Sequence, residues 1–236
     1  MWQIKDILSK DKMLLIISLI SLVIFILIAY GICNNSEIFY GIDKPIGVYF
    51  QSVMKMHSTK FPIFITNFGD KIIILFFLFI SLIFLIIIRF YKEALLIFSL
   101  MSGDFFLTGL LKFVFHRARP HYENYIIKYV DGYGFPSGHT TLAVCFYGII
   151  IYLIARHTHN HWFKMVSITF LSLLILAVSF TRVYLCAHYL SDVIAGYCLA
   201  FFWLLISIWA YKNYKRDYSN NKNDLPIKNA VLGHYD

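Results

Sequence analysis

Two histidines, one carboxylate and three cations lie in three short stretches of an otherwise oily chain: Lys112 to Pro120, Phe135 to His139 and Thr181 to Asp192. Those residue types suit an anion with a reactive centre. Arg119 and Arg182 offer planar forks that match phosphate oxygens two at a time, and Lys112 adds a compact third charge. Ser137 and Gly138 stand where an apolar segment begins, so they would open a helix whose first N–H groups and dipole favour an anion. Glycine allows an approach to the backbone that a side chain would block. A phosphate ester fits this set best.

His188 and Asp192 add the reactive part. Four residues apart, they share a face if a helix starts near His188. The carboxylate then accepts from one ring nitrogen and fixes the tautomer, which leaves the other nitrogen to attack phosphorus. His139, beside the same pocket, is the candidate acid for the leaving oxygen. Each residue also has a plain structural reading. Lys112 is then a snorkelling interface lysine, Arg119 an ordinary loop residue and Ser137 an N-cap. His139 is a capping residue, and His188 and Asp192 are a hydrogen-bonded pair at a helix start. The convergence of three stretches weighs against taking these readings one by one. His and Asp also bind zinc, but the surrounding cations repel a divalent ion and no further carboxylate completes a ligand set. No metal and no cofactor is expected.

The elements that must position these residues are membrane spans. The chain has 236 residues, 59% of them hydrophobic and 14% charged, with a mean hydropathy of +0.68. A soluble domain carries about a quarter of its residues as charges, so the expected fold is all-α, an integral membrane bundle. Six spans are predicted: Met13–Ile32, Ile72–Ile88, Ala94–Leu111, Thr140–Ala155, Phe163–Phe180 and Val193–Tyr211. Each approaches the roughly 20 residues that cross a bilayer. The first is longer than the core of a cleaved signal peptide, about 7–15 residues, and reads as an uncleaved helix. Between it and the second span, Ile46–His57 reads as a surface helix apolar on one side or as an ordered loop. Residues 212–236 read as a polar, disordered cytoplasmic tail, leaving 1–211 as the membrane domain.

The ends of spans three and five and the starts of four and six meet at one face, which gathers the three stretches. With both termini cytoplasmic, twelve of the 21 Lys and Arg lie inside; three of the nine outside belong to the stretches themselves. The positive-inside rule therefore puts the site on the extracytoplasmic face. The formal charge of +8 suggests nucleic acid at first sight, but the cations sit at span ends and in the tail, with no basic stripe among aromatics. No nucleic-acid partner is expected, and nothing in the sequence indicates an oligomeric state. The four cysteines read as small core hydrophobes. Asp104, inside the third span, is a functional candidate by position but lies too deep for direct phosphate chemistry, so a partner within the bundle is expected.

The three stretches resemble the signature of the type 2 phosphatidic acid phosphatases, the membrane lipid phosphate phosphatases. Lys112, six residues and Arg119-Pro120 match the first part, Pro136-Ser137-Gly138-His139 the second, and Arg182, His188 and Asp192 the third; Thr181 stands where that family usually has serine. The resemblance implies metal-independent dephosphorylation through a phosphohistidine at His188. It also implies His139 as acid, and Lys112, Arg119, Ser137, Gly138 and Arg182 as phosphate holders. The site would open sideways to lipid in a bacterial cytoplasmic (inner) membrane. The family's substrates include phosphatidic acid, phosphatidylglycerophosphate, undecaprenyl diphosphate and lipid A phosphates, with selectivity expected from loops 34–71 and 119–135. A non-catalytic transporter or binding protein for anionic lipid would keep the cations without needing an oriented histidine. A lipid phosphotransferase would share every residue.

Overall fold

The computed structural model describes residues 2–34, 36–120 and 132–232. Among them the chain is helical, without strands: α1 (Trp2–Cys33), α2 (Glu37–Met56), α3 (Lys60–Asn67), α4 (Lys71–Ile87), α5 (Tyr91–Phe115), α6 (Gly138–His157), α7 (His161–Tyr184) and α8 (Leu190–Leu232). The predicted spans are recovered within α1 and α4 to α8. Five helices are long and apolar enough to cross a membrane alone, and the pair α3 and α4, bent by 41°, makes a sixth if it counts as one span.

The centre of the bundle is α6, which packs against α4, α5, α7 and α8. Its residues from Thr140 to Tyr147 are all buried, as expected for a helix apolar on every side. Contact between α5 and α8 depends on Gly103: a Cβ there would come within 2.2 Å of the Trp203 ring. The Trp203 indole donates to Leu100 O at 2.8 Å. Close approach through small residues is how helices associate where apolar burial gives no advantage over lipid. On α1, Ser18 Oγ donates to Phe202 O at 3.1 Å, and Lys212 pairs with Asp11 at 3.0 Å. Large apolar side chains such as Phe76, Phe79, Phe106 and Leu173 point outward, a surface suited to lipid.

Three expectations are amended. The surface helix predicted from Ile46 begins nine residues earlier, at Glu37, and takes Pro45 inside it. Its inner stripe is Asp43, Gly47 and Met54, while Ile38, Tyr40, Val48 and Tyr49 are exposed. The short α3 was not foreseen, because Asn67 to Asp70 breaks an apolar run into two pieces. Third, the sequence reads the segment after Tyr211 as disordered, whereas α8 continues to Leu232. After Tyr211 no glycine or proline interrupts the helix before Pro226, and Gly233 follows its end.

Candidate active site

The three polar stretches meet at one end of the bundle. Lys112 lies in the last turn of α5, which stops at His116 in a left-handed conformation, φ 44°. The chain then returns as Arg117 to Pro120. After the segment 121–131, which lies outside the described residues together with part of the predicted selectivity loop and His121, Gly134 N–H donates to Arg117 O at 2.8 Å. That bond ties the first stretch to the second. Lys112 does not snorkel outward: its Nζ donates to Tyr133 O at 2.7 Å, and its Cε lies near Gly138, 3.7 Å from where a Cβ would stand.

Ser137 occupies the N-cap position of α6, yet its side chain makes no capping bond. Its hydroxyl, fully buried, accepts from Thr140 Oγ1 at 3.0 Å. The N–H groups that open α6 are thus left without the side-chain oxygen that usually covers them, an arrangement suited to an anion. Ser137 N–H donates to Asp192 O at 3.1 Å, which joins the second stretch to the third. Gly196 on α8 permits this closeness, since a Cβ there would come within 3.1 Å of Ser137 O.

His188 lies just before α8 rather than on it, in a turn that folds back on α7. The N–H groups of Ala187 and His188 both donate to Arg182 O, at 3.0 and 3.2 Å. Asp192 is in the first turn of α8, and both side chains are buried. The expected contact is present but long: His188 Nδ1 lies 3.5 Å from Asp192 Oδ2. At the other ring edge, Arg119 Nη1 is 3.0 Å from Nε2. A guanidinium can only donate, so Nε2 carries the lone pair and Nδ1 the proton. That is the tautomer required for attack through Nε2. Burial, then Arg182, Arg119, Lys112 and His139, hold this ring well below the usual histidine range, so it is neutral at ordinary pH.

Arg182, at the end of α7, is buried and donates from Nη1 to Thr66 Oγ1 at 2.8 Å. Arg119 also donates to Ala187 O and Gly132 O, each at 3.0 Å. His139, in the first turn of α6, lies within electrostatic reach of Arg182, Arg119 and Lys112. All eight predicted residues are therefore gathered at one end. Asp104 is not among them: it is buried in α5 against Thr108, Thr141 and Cys145.

Sequence reasoning missed three contributors. Thr66 holds Arg182. Gly69, in the turn between α3 and α4, packs against His139, with a Cβ position 3.1 Å from His139 O. Arg117 bridges Asp192 and Asp43 of α2. Only Arg117 lay within a stretch already singled out, and its proximity to Arg119 was the one available signal.

The arrangement can hold a tetrahedral anion between the start of α6 and three cations, with the His188 ring beside them. The sequence profile of the PAP2 superfamily matches residues 92–216, which include all three stretches. Phosphatidylglycerophosphatase B of Bacillus subtilis (strain 168) is 31% identical over 109 residues, 45% of this chain and 52% of that protein, so the match spans about half the relative's length. A solved structure described as the first transmembrane PAP2 type phosphatidylglycerolphosphate phosphatase from Bacillus subtilis superposes with a TM-score of 0.72 at 21% identity. That superposition covers 85% of this chain and 96% of that one, a likeness of fold. The chain belongs to the PAP2 superfamily.

Proposed function

We propose that the protein is a membrane-embedded lipid phosphatase that hydrolyses a lipid phosphomonoester or pyrophosphate through a phosphohistidine at His188. The observation that carries this reading is the placement of the His188 ring, its Nε2 3.0 Å from Arg119 Nη1 and its Nδ1 3.5 Å from Asp192 Oδ2. A transporter of anionic lipid has no use for a ring so oriented. The relative's name, phosphatidylglycerophosphatase B, makes phosphatidylglycerophosphate the first substrate to test.

The phosphoryl group rests on the N–H groups of α6 at Gly138, with Lys112, Arg119 and Arg182 on its oxygens and Ser137 beneath. Nε2 of His188 attacks phosphorus, and the P–O bond to the lipid breaks. His139 gives its proton to the leaving oxygen. Asp192 stabilises the positive charge that the His188 ring acquires. His139, now neutral, takes a proton from water; the water oxygen attacks phosphorus, the P–N bond breaks, and inorganic phosphate leaves. The separation of 3.5 Å between His188 and Asp192 shortens as the ring gains charge, in the manner of catalytic hydrogen bonds that tighten in the complex. The site is read as extracytoplasmic with both termini inside, a reading that the lysine and arginine count supports.

The test is phosphate release in detergent micelles from a panel of lipid phosphates, with and without EDTA. At least one lipid should turn over, EDTA should leave the rate unchanged, and His188→Ala should reduce it by about 10³-fold or more. Binding of lipid without phosphate release would favour the transporter, and phosphorylated acceptors among the products would favour the transferase. Equal rates on water-soluble phosphoesters would remove the lateral, lipid-facing pocket.

A further inference from the structure

Arg117 plays no part in the chemistry above, yet its guanidinium bonds three side chains at this end of the bundle. Its Nη1 pairs with Asp192 Oδ1 and donates to Ser191 Oγ at 2.8 Å, and its Nη2 pairs with Asp43 Oδ2 at 2.8 Å. The Tyr189 ring lies beneath the guanidinium at 4.5 Å. Asp43, from α2, also accepts from Ser191 N–H at 3.0 Å and from its hydroxyl. Asp192 Oδ2 meanwhile accepts Tyr189 N–H at 3.0 Å. Two buried carboxylates therefore share one guanidinium directly behind the ring of His188.

We infer that Arg117 is a positioning residue: by pairing with Asp192 it keeps that carboxylate ionised, and thereby keeps the His188 proton on Nδ1. The inference rests on the reading of His188 as nucleophile. A carboxylate with no solvent exposure does not stay charged without a partner. Among the described residues, Arg117 is the fixed cation bonded to Asp192. Take it away, and Asp192 and Asp43 face each other without the guanidinium that bridges them, so a proton is taken up more readily. A protonated Asp192 is a donor as well as an acceptor. Its O–H would satisfy Nδ1 as an acceptor and move the ring proton to Nε2, which removes the lone pair from the side facing the phosphate. Loss of the orienting charge in such a pair lowers turnover steeply while substrate contacts survive.

Arg117 also anchors α2 through Asp43, so a structural role has to be separated from this one. The contrast between Arg117→Ala and Asp43→Asn does so, because both loosen α2 but only the first removes the charge from Asp192. The test uses the full chain in detergent, with wild type and His188→Ala as references. If wild type releases phosphate and His188→Ala does not, the nucleophile reading stands whatever the Arg117 variants do. Arg117→Ala should then lower kcat by about 10²-fold or more with KM changed by only a few-fold. Arg117→Lys should restore a substantial part of that loss, and Asp43→Asn should stay within about ten-fold of wild type. Arg117→Ala placed on Asp192→Ala should add little, as for two residues acting through one element. Equal losses in Arg117→Ala and Asp43→Asn, independent losses in the double variant, or full activity of Arg117→Ala would overturn the inference. If Arg117→Ala does not fold, the comparison of Arg117→Lys with Asp43→Asn decides: a lysine variant weaker than Asp43→Asn by ten-fold or more overturns it as well.

Discussion

Both ends of this bundle bury charge, and the two do it differently. At the end near Phe90, Glu93 accepts from the Tyr211 hydroxyl, His157 Nε2 lies 3.6 Å away, and Arg156 covers the Tyr211 ring at 5.6 Å. One carboxylate is met there by local partners from α6 and α8. At the other end Lys112, Arg119 and Arg182 converge on a single pocket with His139 and His188 between them. The start of α6 also differs from that of α4, beside the site, and from that of α7, at the other end. Asp70 caps α4 by accepting Ile72 N–H at 2.8 Å, and Asn160 caps α7 by accepting Phe163 N–H at 3.0 Å. Ser137 leaves α6 uncapped. A polar cluster that satisfies itself is architecture, and one that holds unspent donors and like charges together is arranged for something absent from the chain. Like charges gathered in a poorly solvated place repel one another, and an anion with several oxygens relieves that repulsion.

The sharpest way to break the contrast is at the cationic end. Arg119→Ala should lower kcat/KM by about 10²- to 10³-fold, since it removes a charged fork from the phosphate and the donor that Nε2 faces. Arg119→Lys should recover little, because a point charge does not reproduce the fork. The pH profile carries an independent sign. Burial, and after it the neighbouring cations, holds the His188 ring below its ordinary range, so the neutral nucleophile persists below about pH 6.5, the usual histidine value. Removing Arg119 relieves one repulsion, the ring takes a proton more readily, and the acid limb of kcat/KM must move to higher pH. A limb that stays fixed or moves down would mean that another group governs it.

A milder change should sharpen the contrast from the other side. Tyr211→Phe deletes the hydroxyl that Glu93 accepts and leaves a buried carboxylate with one bond fewer. Stability should fall by about 1–3 kcal/mol, read as a lower midpoint of thermal unfolding in detergent, while kcat and KM stay within two-fold of wild type. Loss of activity without loss of stability would show that the two ends communicate.

How much of this could be read from the sequence follows from the range of each interaction. The spans were legible because long apolar runs bounded by charge have few other readings. The site was legible because its residues are grouped in three stretches whose order and spacing follow from where helices end. Thr66 and Asp43 were not: Thr66 lies 116 residues from Arg182, and Asp43 lies 74 from Arg117. No periodicity links a threonine in a short helix to an arginine that distant. The turn at Gly69 was missed for a related reason, since its role comes from packing against His139 rather than from any local pattern. The proton on His188 could be anticipated from the residue types, but only the position of Arg119 against Nε2 fixes it.

Asp104 stands between the two ends and should give the smallest effect. It is buried in α5 with Thr108, Thr141 and Cys145 around it, and its Oδ2 has no hydrogen-bond partner. Thr108 and Thr141 hydroxyls meet at 3.1 Å, and Thr141 Oγ1 also lies 3.1 Å from Gly138 O. A short ladder of hydroxyls thus leads from Asp104 to the first turn of α6, where the phosphate would sit. Asp104→Asn keeps an acceptor and gains donors of the same shape, so the ladder survives and activity should remain within about three-fold of wild type. Asp104→Leu leaves hydroxyls facing an apolar side chain, with a stability loss of about 1–3 kcal/mol and a small rise in KM as the start of α6 loosens. If Asp104→Asn abolishes turnover while the unfolding midpoint holds, the residue takes part in proton movement, and the ladder is more than a support.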